Sequence, residues 1–160
     1  MSRLPTMDIA SLANEYEAST WYLANIVNGL SESDLDKSVG DGWSPRQVIH
    51  HLADSEAQSY ARLRRLVAEP AGSVIQGYDE ALWANSPTLG YTVLPVEHSL
   101  AVYVAVREAS LDIINRLVES DLEKYGVHTE SGHYTVAKWI AGYSNHPRDH
   151  GNQIKEALGQ

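Results

Sequence analysis

Trp43-Ser44-Pro45-Arg46-Gln47-Val48-Ile49-His50-His51-Leu52-Ala53-Asp54-Ser55-Glu56 decides the fold, because it carries a complete helix start followed by a buried stripe. Ser44 can accept from the first turn as N-cap, and Pro45 at the first helical position lacks the N–H that would be orphaned there. Gln47 closes a capping box, and Trp43 can staple onto Val48. From this start the period predicts a helix running to about Ala68, where Pro70-Ala71-Gly72 ends it.

Three more segments share the 3.6-residue period. Leu12, Tyr16, Leu23 and Val27 place a helix over about 8–28, stopped at Asn28-Gly29. Leu100, Val104, Leu111, Ile114 and Val118 place another from Pro95 to about Glu119. Val136, Ile140, Tyr143, Ile154 and Leu158 place the last over about 135–158. The connection between Ala68 and Leu94 is too long to be structureless, so a short helix is expected near Tyr78 to Asn85. A glycine-bearing crossing loop is expected from Asp121 to Tyr134, and no region reads as rich in strands. Four amphipathic helices with inward apolar faces predict an all-α, antiparallel four-helix bundle, with residues 1–160 forming one domain.

Composition narrows the function. The net charge of −9 opposes nucleic-acid binding, which needs clustered cations against phosphates. The run Arg62, Arg64 and Arg65 reads as a solvated helix face. There is no cysteine, so no thiolate nucleophile is available and a metal would find only nitrogen and oxygen ligands. No apolar run approaches the roughly 18 residues of a membrane helix, and Met1 to Ala10 lacks a signal-peptide pattern. A cytoplasmic protein acting on a small molecule is expected.

Histidine placement carries the chemistry. His146 and His150 are one helical turn apart, a spacing that seven histidines produce by chance in roughly a third of such chains. Placement says more: His150 falls inside the buried stripe and His146 at its edge beside Trp139. His51 projects along the small side chains Ser55 and Ser59, which leave room for a cavity, whereas His50 is expected to face solvent. His98, His128 and His133 read as surface residues.

Three neutral imidazoles without a fourth protein ligand would form an open metal site, suited to zinc, nickel, iron or copper, in which a bound ion acidifies water or polarises a substrate oxygen. Gln153, Asp54, Glu56 and Asp149 are candidates to orient the rings, and Tyr143 and Trp139 to line a pocket. Two other readings stay open: histidines hydrogen-bonded within a core, and a two-histidine site completed by Asp54 or Glu56. Pro147 is expected to interrupt the last helix and to shift His146 relative to His150.

The 43–56 stretch resembles the second-helix signature of the DinB/YfiT-like superfamily. The stretch from Gly126-Val127-His128 through Gly132 and Tyr134-Thr135-Val136 to His146-Pro147-Arg148-Asp149-His150-Gly151-Asn152-Gln153-Ile154 resembles its fourth-helix motif. The resemblance implies a four-helix bundle, commonly a homodimer, with a divalent ion, zinc or nickel with iron as the alternative, on His51, His146 and His150. It implies a metal-dependent hydrolase or a thiol-dependent transferase using a low-molecular-weight thiol. A non-catalytic metal- or ligand-binding bundle is the alternative.

Overall fold

The computed structural model describes residues 8–160; most of the Met1 to Ala10 segment lies outside them. Four long helices form the bundle: α1 (Ile9–Asn28), α2 (Pro45–Ala68), α4 (Glu97–Ile114) and α5 (Val136–Ala157), with the short α3 (Glu80–Asn85) between α2 and α4. The predicted cap of α2 is present: Ser44 Oγ accepts from the Gln47 N–H, and Gln47 Oε1 accepts from the Ser44 N–H. Asp8 and Thr135 cap α1 and α5 in the same way, so three of the four long helices begin on a side-chain oxygen that satisfies an otherwise orphaned donor.

Each long helix touches two others: α2 packs on α4 and α5, and α1 packs on the same pair. Helices adjacent in sequence, α1 with α2 and α4 with α5, therefore lie across the diagonals. Contact registers give their directions. His50 meets Ser99 and Arg64 meets Ser110, so α2 and α4 run the same way. Arg62 meets Tyr143 while His51 meets His146, so α2 and α5 run oppositely. A chain leaving α2 must return the length of the bundle before entering α4, roughly 36 Å for a helix of 24 residues. That return is the physical reason for the long connection before Leu94.

Two sequence expectations are corrected here. The connections contain a three-stranded sheet, β1 (Ser73–Ile75), β2 (Tyr125–His128) and β3 (Gly132–Thr135), with β1 parallel to β2 and β2 antiparallel to β3. The expected crossing loop is thus largely a hairpin. Gly126 is required where β2 crosses β1: a Cβ there would lie 2.6 Å from the Ser73 carbonyl oxygen. The sheet joins the end of α2 to the start of α5, closing one end of the bundle.

The other correction concerns α4, which starts at Glu97 and stops at Ile114, inside the expected 95–119. Its start is delayed because the Leu94 carbonyl is taken by side chains of α2, Arg46 at 2.9 Å and His50 at 3.0 Å. Val118, expected on the buried stripe, is exposed beyond the helix. The core divides into two clusters, one around Tyr16, Leu63, Ile114, Trp139 and Ile140, the other around Leu23, Val48, Leu52, Tyr103 and Ile154. The histidines and one buried arginine lie among these helices.

Candidate metal centre

His51 comes from α2, and His146 and His150 come from successive turns of α5. Because α2 and α5 are antiparallel neighbours, residues almost a hundred positions apart meet at one level of the bundle. His146 Nε2 lies 3.3 Å from His51 Nε2 and 2.9 Å from His150 Nε2. One ring nitrogen of each of the three lies within 4.8 Å of the others. His51 is buried, the other two are half-buried, and the Trp43 ring packs against His51 at 5.1 Å between centroids.

The donor set fits a cation. Burial pushes the His51 pKa down to about 4 and that of His146 to about 3, in both cases assisted by the neighbouring His150, and burial also lowers His150. All three rings are therefore neutral near pH 7 and each offers a lone pair. His150 Nδ1 donates to Gln153 Oε1 at 2.7 Å, which puts its proton on that nitrogen and leaves Nε2 bare toward the other rings. His51 Nδ1 and His146 Nδ1 are buried with no hydrogen-bond partner among the described residues, so nothing there fixes the tautomer of either ring and both can turn a bare Nε2 toward a cation. The spacings of 2.9 and 3.3 Å fall within the span of two nitrogens on one ion at about 2.0–2.1 Å, whereas the set as a whole spans 4.8 Å, so the widest pair would have to close slightly on binding.

Pro147 does not interrupt α5, which is continuous from Val136 to Ala157. A proline leaves the carbonyl four residues earlier without its helical donor. That carbonyl belongs to Tyr143, and it accepts from Arg107 Nη1 at 3.0 Å. Arg107 is fully buried and reaches from α4 to the other three long helices: Glu56 Oε1 at 2.7 Å, Thr20 Oγ1 at 2.6 Å, Ser19 Oγ at 2.8 Å, and the Tyr16 and Tyr143 carbonyls. Its guanidinium also stacks 3.9 Å over the Tyr16 ring. The sequence did hold a signal for this residue, since Arg107 falls on the stripe formed by Val104, Leu111 and Ile114, where a cation must be paired.

Other expected roles are redistributed. Glu56 is fully buried, pairs with Arg107 and accepts from Ser59 Oγ, so it is neither a surface carboxylate nor a third ligand. Asp54 accepts from the Tyr91 hydroxyl. The two-histidine-one-carboxylate arrangement is therefore absent among the described residues. Asp149 is exposed and touches none of the rings through a hydrogen bond, although its charge acts on His150. Gln153 takes the orienting role expected of it, and Tyr143 packs edge-on to His146 at 6.1 Å between centroids. Trp139 instead fills the core, donating to the Ser59 carbonyl.

His50, expected in solvent, is 5% exposed, with Nδ1 at 2.7 Å from Ser99 Oγ and Nε2 on the Leu94 carbonyl. The phase argument fails because α2 is covered on two sides, and Val48 through Ala53 are all buried. His128, also expected at the surface, is buried; its Nδ1 accepts from the Glu130 N–H at 3.1 Å. It lines a cavity of about 240 Å3 beside His146, together with Ser55, Tyr78, Glu80 and Tyr143. Arg62, expected on a solvated helix face, is half-buried and lines the same cavity. His98 and His133 are exposed as expected.

A helical bundle with three converging histidines at this level defines the class, and the family follows from comparison with known proteins. The DinB superfamily model matches residues 15–154, and the chain belongs to that superfamily. Two proteins of Oceanobacillus iheyensis, both provisionally named metal-dependent hydrolases, are similar to it. One is 33% identical over 152 residues, covering 94% of this chain and 86% of its own. The other is 38% identical over 138 residues, covering 86% and 78%. Among solved structures, YfiT from Bacillus subtilis, described as a probable metal-dependent hydrolase with an unusual four-helix bundle topology, superposes with a TM-score of 0.84. It does so at 23% identity, over 99% of this chain and 92% of that one. A sibling lethal factor precursor, DfsB, superposes with a TM-score of 0.67 at 18% identity, over 96% of both chains. At these identities the two structures establish the shared fold.

Proposed function

We propose that the protein is a metal-dependent hydrolase of small molecules whose divalent ion is held by His51, His146 and His150. The observation that carries this reading is the convergence of one ring nitrogen from each of three histidines within 4.8 Å of one another, on rings that burial keeps neutral near pH 7. The provisional names of the curated relatives support it. Such an ion supplies Lewis acidity, acidifying water and polarising a substrate oxygen.

The chain's own residues do the rest. Gln153 fixes the His150 tautomer, and Trp43 shields His51 from water. His128 accepts backbone N–H groups on Nδ1, so its proton sits on Nε2 and the ring serves as a donor to substrate. Glu80 lines the cavity and acts electrostatically on His150, which makes it the carboxylate best situated to take a proton from an attacking water. The net charge of −9 supports a small-molecule substrate over a nucleic acid.

Untagged protein should retain about one divalent ion per chain, His150→Ala should lose it while staying helical, and metal-dependent turnover should appear in a panel of esters and amides. Full metal content in the His51→Ala, His146→Ala double variant would refute the ligand assignment. Turnover that requires an added thiol would move the reaction to thiol transfer, and ion retention without turnover on any substrate would favour a binding protein.

A further inference from the structure

Of the seven described arginines, Arg46, Arg65, Arg107 and Arg148 each lie within 4.0 Å of a carboxylate. Arg62, Arg64 and Arg116 have no carboxylate at that distance among the described residues, and of these three only Arg62 lines the cavity beside His146. Two of its donors are spent on neutral acceptors, Nη1 on the Tyr143 hydroxyl at 3.1 Å and Nη2 on the Gln76 carbonyl at 2.9 Å. These two bonds fix the guanidinium plane. Its Nε is buried with no hydrogen-bond partner among the described residues, Tyr134 lying close by, and the buried hydroxyl of Tyr78 in the same cavity has only Ser55 near enough to meet it. A half-buried cation fixed on two neutral acceptors, with further N–H groups on Nη1 and Nη2 unspent, lacks an acceptor that carries negative charge.

We propose that Arg62 and Tyr78 form a carboxylate-binding subsite, and that the substrates of this protein are small molecules bearing a single carboxylate. The remaining lining bounds the class. Glu80 and Glu130 border the same cavity, so one cation faces two anions and a polyanion such as a phosphate ester or nucleotide is opposed. Size bounds it too: about 240 Å3 is the volume of about eight liquid waters, below the usual range for drug-sized ligands. Tyr143 bridges the subsite to the histidines, since its hydroxyl accepts from Arg62 and its ring packs against His146. A carboxylate on Arg62 would therefore leave the rest of a short substrate directed along Tyr143. The proposal rests on the hydrolase reading for where the scissile bond lies; carboxylate binding itself requires no ion.

The probe is N-acetylglycine, compared with its uncharged analogue N-acetylglycinamide and with inorganic phosphate. Binding is followed by titration calorimetry on both metal-supplemented and chelator-treated protein. The carboxylate should bind about tenfold or more tighter than the amide in both preparations, and phosphate should bind more weakly than either. Arg62→Gln should bring acid and amide within about twofold while helical content and metal content stay as in the wild type, and Arg62→Lys should retain part of the preference. Equal binding of acid and amide by the wild type overturns the proposal even if the variants fail to fold, and so does a preference that survives Arg62→Gln. Tighter phosphate binding overturns the substrate class. A preference confined to the metal-supplemented protein would assign the carboxylate to the ion instead of Arg62. Failure to retain an ion would sink the hydrolase reading while leaving the acid-to-amide comparison in chelator-treated protein decisive.

Discussion

Arg107 supplies the hydrogen bond that Pro147 removes: its Nη1 donates to the Tyr143 carbonyl, the acceptor left open four residues before the proline. The proline sits between two of the three histidines, yet the helix that carries them is unbroken. A helix-interior proline ordinarily costs roughly 3 kcal/mol through a lost bond and a clash, and here the lost bond is replaced from α4.

This pairing predicts a non-additive double-mutant cycle. Arg107→Met leaves Glu56 buried without its partner and should cost about 3–5 kcal/mol. In a Pro147→Ala background the restored N–H can serve the Tyr143 carbonyl, so the same substitution should cost less by about 1 kcal/mol. Urea denaturation of the four proteins measures the coupling, and additive costs would show that Arg107 does not compensate the proline.

Adjacent His50 and His51 should separate cleanly. His50 bridges Ser99 and the Leu94 carbonyl, so His50→Gln should lower stability by about 1–3 kcal/mol and leave bound metal at the wild-type level. His51→Gln should do the opposite, abolishing metal retention with a smaller effect on the stability of the metal-free protein. Elemental analysis and thermal melts on both variants check this; metal loss in His50→Gln would contradict the assignment.

Acid should destabilise the metal-free protein through its histidines. The folded-state pKa values of His51 and His146 are lowered to about 4 and about 3 from an ordinary 6.5, so between those limits the unfolded chain binds more protons. Stability therefore falls as pH drops below about 6.5, by at most about 1.4 kcal/mol per pH unit for each group, and these groups contribute no slope above about pH 7.5. Melting temperatures from pH 7.5 to 5, where carboxylates remain largely ionised, should decline less in a His51→Gln, His146→Gln variant than in the wild type. Parallel declines would mean that the acid sensitivity lies elsewhere.

Gly151 marks where α1 and α5 approach most tightly beside the histidines. A Cβ there would lie 2.7 Å from Cε1 of Tyr22 and 3.1 Å from Cδ1 of Ile26. Gly151→Ala should gain up to about 1 kcal/mol of helix propensity and lose about 1–3 kcal/mol to overpacking, a net destabilisation. Because Tyr22 also donates to Asn152, Tyr22→Leu should relieve part of the clash. Chemical denaturation of the single and double variants tests both statements, and a stabilised Gly151→Ala protein would show that α1 yields freely.

The four long helices, the α2 capping box and the three histidines were legible in the sequence because each rests on local chemistry: a period, a cap, a one-turn spacing. Gln153 was legible for the same reason, lying one turn from His150. His50 was misplaced because a helical wheel assumes one buried side, and His128 because the segment that carries it reads as a crossing loop. α2 is covered by two helices and the chain near Leu94, and His128 ends β2, the middle strand of a sheet that pairs with β1 on one side and β3 on the other. The strands themselves are three or four residues long, too short to show a period, and they exist because the sheet closes the bundle end.

The sequence by itself determined where the three side-chain-capped helices α1, α2 and α5 begin and that His51, His146 and His150 lie on apolar stripes, since capping and amphipathic phase are written within a few residues. Only the tertiary structure decided that His51 meets His146 and His150, that Arg107 holds Glu56 and the carbonyl opened by Pro147, and that Arg62 lines a cavity with no carboxylate within 4.0 Å among the described residues. Those relationships depend on which helices are neighbours and in which direction they run, and no local pattern specifies either.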